Sequence, residues 1–155
     1  MSADFTFLFL AAFALTLAGR LWLTLRQIRY VAAHRAAVPA GFTERISLAA
    51  HQKAADYTVD RNRLAILTTL VDAALLLAFT VGGGLAWLHE FWAARVDGLI
   101  YGLALIFSVM AIGAAIDLPF ALHRQFVIEA RYGFNRMTLA PVSYTHLTLP
   151  RNREV

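Results

Sequence analysis

Three stretches of the chain are almost free of polar residues, and they set its architecture. Leu64 to Leu88 and Leu99 to Phe120 are each long enough to cross a bilayer, and Phe5 to Leu25 is nearly so. About 20 apolar residues rising about 1.5 Å each match a hydrocarbon core of about 30 Å. Lipid offers no partner for backbone N–H and C=O groups, so each run is expected to be an α-helix. The pattern predicts an all-α integral membrane protein with transmembrane helices at about 5–25, 64–88 and 99–118.

Polar and apolar positions mix between these runs. Arg26 to Arg35 extends the first helix beyond the membrane, and Pro39-Ala40-Gly41 breaks it. Thr43 is the expected N-cap of a second cytosolic helix beginning at Glu44, whose residues to Arg63 read as a solvated helix leading into the membrane. Lys53–Asp56 and Asp60–Arg63 are spaced to pair across one helical turn. Asp117-Leu118-Pro119 is expected to bend the chain, because proline lacks an N–H and disfavours helix at the residue before it. Residues 120–132 then repeat apolar side chains at Leu122, Phe126, Val127 and Ala130, as an amphipathic interfacial helix would. Gly133 is its expected C-terminal cap. Residues 1–141 form one membrane domain, and residues 142–155, where helical periodicity stops, read as a non-native tail.

Composition agrees with lipid as the solvent. Hydrophobic residues make up 59% of the chain and mean hydropathy is +0.59. Cysteine is absent, which rules out disulfides and thiolate metal sites. The net charge is +4, yet no basic face with interleaved aromatics suggests nucleic acid.

The cations instead report topology. Residues 26–63 carry seven, the N-terminal tail none, the link 89–98 only Arg95, and the segment after the third run Arg124, Arg131 and Arg136. Arg-rich loops stay inside, so the N-terminus is expected outside and the loop 26–63 in the cytoplasm. Trp22, Trp87, Trp92 and Tyr101 fall near the predicted helix ends, at the depth interfacial aromatics prefer. Met1 to Asp4 has no positive charge, so the first run reads as a retained helix and not a signal peptide.

Two charges lie within apolar runs. Arg20 and Asp72 sit at depths that an arginine side chain spans, so they are the candidate intramembrane ion pair. Gly98 and Gly102 form a GxxxG, a candidate helix-packing face, and Gly82-Gly83-Gly84 permit either close helix approach or a local kink. No HExxH is present; His89-Glu90-Phe91-Trp92-Ala93 lacks the second histidine. Physics alone identifies no catalytic and no metal-binding residue.

Two segments carry a family resemblance. The run from His51 through Asp56, Tyr57 and Asp60 to Leu64 resembles the stretch before the second membrane helix of type I CAAX prenyl proteases. The run from Asp117 to Thr138, with Phe126-Val127-Ile128-Glu129 followed by Gly133-Phe134-Asn135, resembles their sequence after the third. The resemblance spans about Phe5 to Pro141. It implies the N-terminal membrane-chamber domain of a seven-helix zinc endopeptidase whose HExxH lies later in the chain. Eukaryotic members cleave prenylated proteins, and bacterial relatives act in membrane protein quality control. Asp56, Tyr57, Asp60, Glu129, Arg131 and Asn135 match the family pattern and imply structural or chamber roles.

The expected partners are the lipid bilayer, a C-terminal catalytic domain and, in a full enzyme, a peptide or prenylated protein. Zinc is implied there and no cofactor in this fragment, which is expected to be inactive alone. The expected location is a bacterial inner membrane. The alternative is a small, self-contained oligomeric membrane protein.

Overall fold

Two long helices lying side by side form the frame. The structure, a computed structural model, describes residues 3–134. Helix α1 runs over Ala3–Ala33, α2 over Leu48–Thr80, α3 over Gly84–Ala93 and α4 over Gly98–Leu122. A short 3₁₀ turn, Ala40–Phe42, lies in the α1–α2 loop, and π-helical turns at His123–Glu129 prolong α4. Helix α1 packs along α2, while α4 and its π-helical extension return against α2. Three helical stretches, Ala3–Ala33, Leu48–Thr80 and Gly98–Glu129, are long and apolar enough to cross a membrane.

The bundle has almost no dry interior of its own. Among the described residues only Ala55, Leu88 and Ile128 are buried apolar side chains. Phe7, Leu15, Leu99, Phe107 and Met110 stand exposed, as do many others on the same helices. In water so large an apolar surface would drive association; in lipid it is the solvated face.

The helix boundaries depart from the sequence pattern in three places. Helix α2 is one rod of 33 residues, not a cytosolic helix followed by a membrane helix. At about 1.5 Å per residue it is about 50 Å long, so its polar half, up to Arg63, projects beyond the hydrocarbon. Its cap is Ser47 and not Thr43: Ser47 is extended (φ −67°, ψ 150°) and its hydroxyl accepts from the Ala50 N–H. Polar side chains do not interrupt a helix; only the backbone does.

The run 64–88 is interrupted for that reason. Helix α2 ends at Thr80, and Gly83 adopts φ +78°, a conformation that costs a residue with a Cβ. A new helix, α3, starts at Gly84. Glycines 82–84 therefore make a turn and do not form a packing face within a continuous helix.

Conversely, Pro119 does not break α4. Proline's fixed φ is helical, so only one backbone bond is lost, and the helix continues into wider π turns from His123. The separate helix expected over 120–132 is replaced by a continuation of α4.

Candidate functional site

At the end of the bundle that carries the α1–α2 loop, polar groups from three chain segments converge. Helix α1 delivers Arg35 just past its C-terminus. The Arg35 fork grips Asp56 of α2 twice, Nε to Oδ1 at 2.6 Å and Nη2 to Oδ2 at 2.8 Å. This two-point geometry fixes orientation as well as distance. The hydrogen bond to Asp56 raises the Arg35 pKa above its already high value. Next to it His51 Nε2 donates to the His34 carbonyl at 2.9 Å, so α2 also caps the end of α1.

One turn along α2, Asp60 receives the segment that follows α4. The Tyr132 hydroxyl donates to Asp60 Oδ2 at 2.8 Å, and Arg131 reaches the same oxygen at 3.3 Å. Arg63 stands 3.7 Å from the other oxygen. Burial, then the bond to Asp60, raises the Tyr132 pKa above the usual 10.0. Tyr57 completes the contact with its ring edge, 5.5 Å from the Tyr132 centroid and 4.9 Å from that of Phe134.

The backbone presents these side chains. Gly133 has φ +72°, its N–H bonds the Ala130 carbonyl at 3.1 Å, and the Phe134 N–H bonds the Glu129 carbonyl at 2.9 Å. This pair of bonds is the Schellman closure of a helix end. It turns Phe134 back onto Tyr57, and Lys53 lies 5.9 Å over the Phe134 ring. Gly133 is thus the cap that the sequence predicts.

Asp56, Tyr57, Asp60 and Arg131 therefore meet in one cluster, and Glu129 joins it through its carbonyl. Asn135 lies outside the described residues, as do residues 142–155. Sequence reasoning did not single out Arg35 and Tyr132, and it named Phe134 only as part of the family pattern. Their partners lie 21 to 81 residues away, a pairing no local pattern encodes. The aromatic residues flanking Gly133 are the one signal that was available.

A second polar group lies within the membrane-spanning part. Arg20 and Asp72 line one cavity of about 220 Å³ between α1 and α2, with Thr16 and Thr69. Asp72 also lies in electrostatic reach of Asp117 on α4. The three ion pairs among the described residues are Arg35–Asp56, Arg63–Asp60 and Arg131–Asp60, so Arg20 and Asp72 share a cavity without a direct bond.

Gly98 and Gly102 meet no neighbour within 4 Å of where a Cβ would stand, so this GxxxG is not a close helix contact within the chain. His89 Nδ1 is engaged with the Tyr101 hydroxyl at 2.6 Å, and Trp92 donates to Ser108 at 2.9 Å; both bonds tie α3 to α4. Among the described residues no three His, Cys, Asp or Glu side chains are grouped to hold a metal ion. The described residues do not fit zinc.

Comparison with known proteins bears on what the cluster belongs to. Residues 27–147 match the family model described as CAAX prenyl protease N-terminal, five membrane helices. The chain is 30% identical over 138 residues to CAAX prenyl protease 1 homolog of Caenorhabditis elegans, covering 88% of this chain and 30% of that protein. It is 26% identical over 133 residues to Probable CAAX prenyl protease 1 of Schizosaccharomyces pombe, covering 77% of this chain and 28% of that protein. It is 30% identical over 106 residues to CAAX prenyl protease 1 homolog of Arabidopsis thaliana, covering 61% and 24%. The chain thus spans less than a third of the length of these eukaryotic relatives. No solved structure matches it. The matched region takes in the Arg35–Asp56 pair and the whole Asp60 cluster, and on that match the chain belongs to the CAAX prenyl protease N-terminal family.

Proposed function

We propose that this chain is the membrane-chamber portion of a zinc-dependent endopeptidase acting on prenylated or other membrane-associated proteins, with zinc and its HExxH ligands in the remainder of the protein. The observation that carries this reading is the cluster at Asp60. It joins α2 to the segment after α4, the two places where the sequence resembles CAAX prenyl proteases, so the family pattern encodes one three-dimensional contact. That contact holds the chain leaving α4 in a fixed direction, which is what a catalytic domain following in sequence requires.

In this reading the loop 26–63 faces the cytoplasm and the N-terminus lies outside, in a bacterial inner membrane. Arg35, Asp56, Asp60, Arg131 and Tyr132 position the exit from the membrane and do not touch substrate. Asp72 and Arg20 face the interior side of α1 and α2. Zinc, when bound by the remainder, supplies an activated water for peptide hydrolysis.

The experiment extends the coding sequence downstream and assays the longer protein on a C-terminally prenylated peptide. The expected result is an HExxH within a later membrane helix, cleavage that a chelator abolishes, and no cleavage by the 155-residue chain alone. A downstream frame without HExxH, or chelator-resistant cleavage, would overturn the reading.

A further inference from the structure

Three arginines around the loop end of α2 have a carboxylate. Arg35 holds Asp56, and Arg63 and Arg131 share Asp60. Arg61 and Arg124 have none: among the described residues neither side chain takes part in an ion pair, a hydrogen bond or a ring contact. They line the same groove, an open cavity of about 410 Å³ between α2 and the end of α4. Below them its walls are Leu64, Ala65, Phe120 and Ala121.

The depth of these residues is set by the helices. Arg61 precedes the first residue of the α2 apolar run, Leu64, by three positions, about 4.5 Å along the axis. Arg124 follows Phe120 by four positions, about 6 Å. Both guanidinium groups therefore stand about one turn outside the hydrocarbon, at the level of lipid phosphates. Asp117 also lines the groove, but it lies seven residues before Arg124, about 10 Å deeper, where it faces Asp72.

We propose that this groove binds one anionic phospholipid. Its phosphodiester lies between Arg61 and Arg124, and an acyl chain runs down Leu64, Ala65, Phe120 and Ala121. The charge and the wall select the class together. Two unpaired guanidinium groups favour a phosphate with no cation on the same headgroup, and an apolar wall continuous with the bilayer favours a lipid over a soluble anion. The site would hold α2 and the end of α4 together next to the Asp60 cluster.

A benzophenone amino acid placed at Ala121 tests this in the whole chain, reconstituted in vesicles of mixed phosphatidylcholine and phosphatidylglycerol. The photo-adduct is identified by mass. The expected adduct is phosphatidylglycerol, enriched over its share of the bilayer. Arg61→Gln with Arg124→Gln should cut the enrichment by roughly tenfold or more, at about fivefold per arginine. The control pair Arg29→Gln and Arg45→Gln should leave it unchanged, as should millimolar inorganic phosphate. Four results would each overturn the proposal: a polypeptide adduct, phosphatidylglycerol at only its bulk share, full enrichment in the Arg61/Arg124 variant, or displacement by free phosphate.

Discussion

The two ends of α2 are held by different physics. Its polar half, Leu48 to Arg63, is fixed by directional contacts: a two-point Arg35–Asp56 pair, two donors from the segment after α4 on Asp60 and an aromatic edge contact from Tyr57. Its apolar half, Leu64 to Thr80, has lipid as its main neighbour and few bonds that choose a direction. Only Arg20, Asp72 and Asp117 mark an inner side there. Position is thus specified at the membrane face, and length and hydropathy suffice within the membrane.

The comparison breaks most visibly at Ile128, the one buried apolar residue of the segment docked on α2. Ile128→Ala is expected to cost about 2–5 kcal/mol in denaturation of the detergent-solubilised protein. A similar truncation at lipid-facing Leu99 should cost far less. Asp60→Ala removes the acceptor for Tyr132 and Arg131 and the ion-pair partner of Arg63 together. Trypsin should then cleave after Arg131 roughly tenfold faster in intact membranes, because the segment opens locally. Gly83→Val forces a β-branched residue into φ +78° and should cost about 1–3 kcal/mol, without touching the cluster.

A smaller effect comes from pH. The Tyr132 pKa is raised, so its neutral form is the one the fold favours. Its contribution is complete below the unfolded pKa of about 10 and is lost as pH rises through the raised folded value. An alkaline titration of segment release should show a step above pH 10 that Tyr132→Phe removes; a step below pH 9 would contradict the assignment. Gly102→Ala should change least, since the added Cβ meets nothing within 4 Å. A marked loss would instead identify the GxxxG as a contact between copies of the chain.

The same contrast explains what was legible in the sequence. The three membrane runs were, because hydropathy over about 20 residues is a sum that no single residue can hide. The Gly133 cap was, because glycine just past an amphipathic stretch has few other uses. At Gly82–Gly84 the sequence offers a kink or a packing face, but not the end of one helix and the start of another, since hydropathy carries no backbone torsion. The continuity of α2 from Leu48 was not legible, since charge was read as a boundary when it marks only the water level. Nor was the helix through Pro119, where one missing bond is tolerated. At the site, the resemblance named Asp56, Tyr57, Asp60, Arg131 and, within its motif, Phe134, whereas Arg35 and Tyr132 came from contacts between distant segments.

The central claim is that the segment after α4 docks on the polar half of α2. The chain has no cysteine, so Tyr57→Cys and Phe134→Cys introduce the only thiols. In native membranes a short bifunctional thiol reagent should join them, their parent rings lying 4.9 Å apart, and should leave Tyr57→Cys unjoined to Leu99→Cys at the far end of α4. Absence of the first link, or equal yield of the two, would contradict the account.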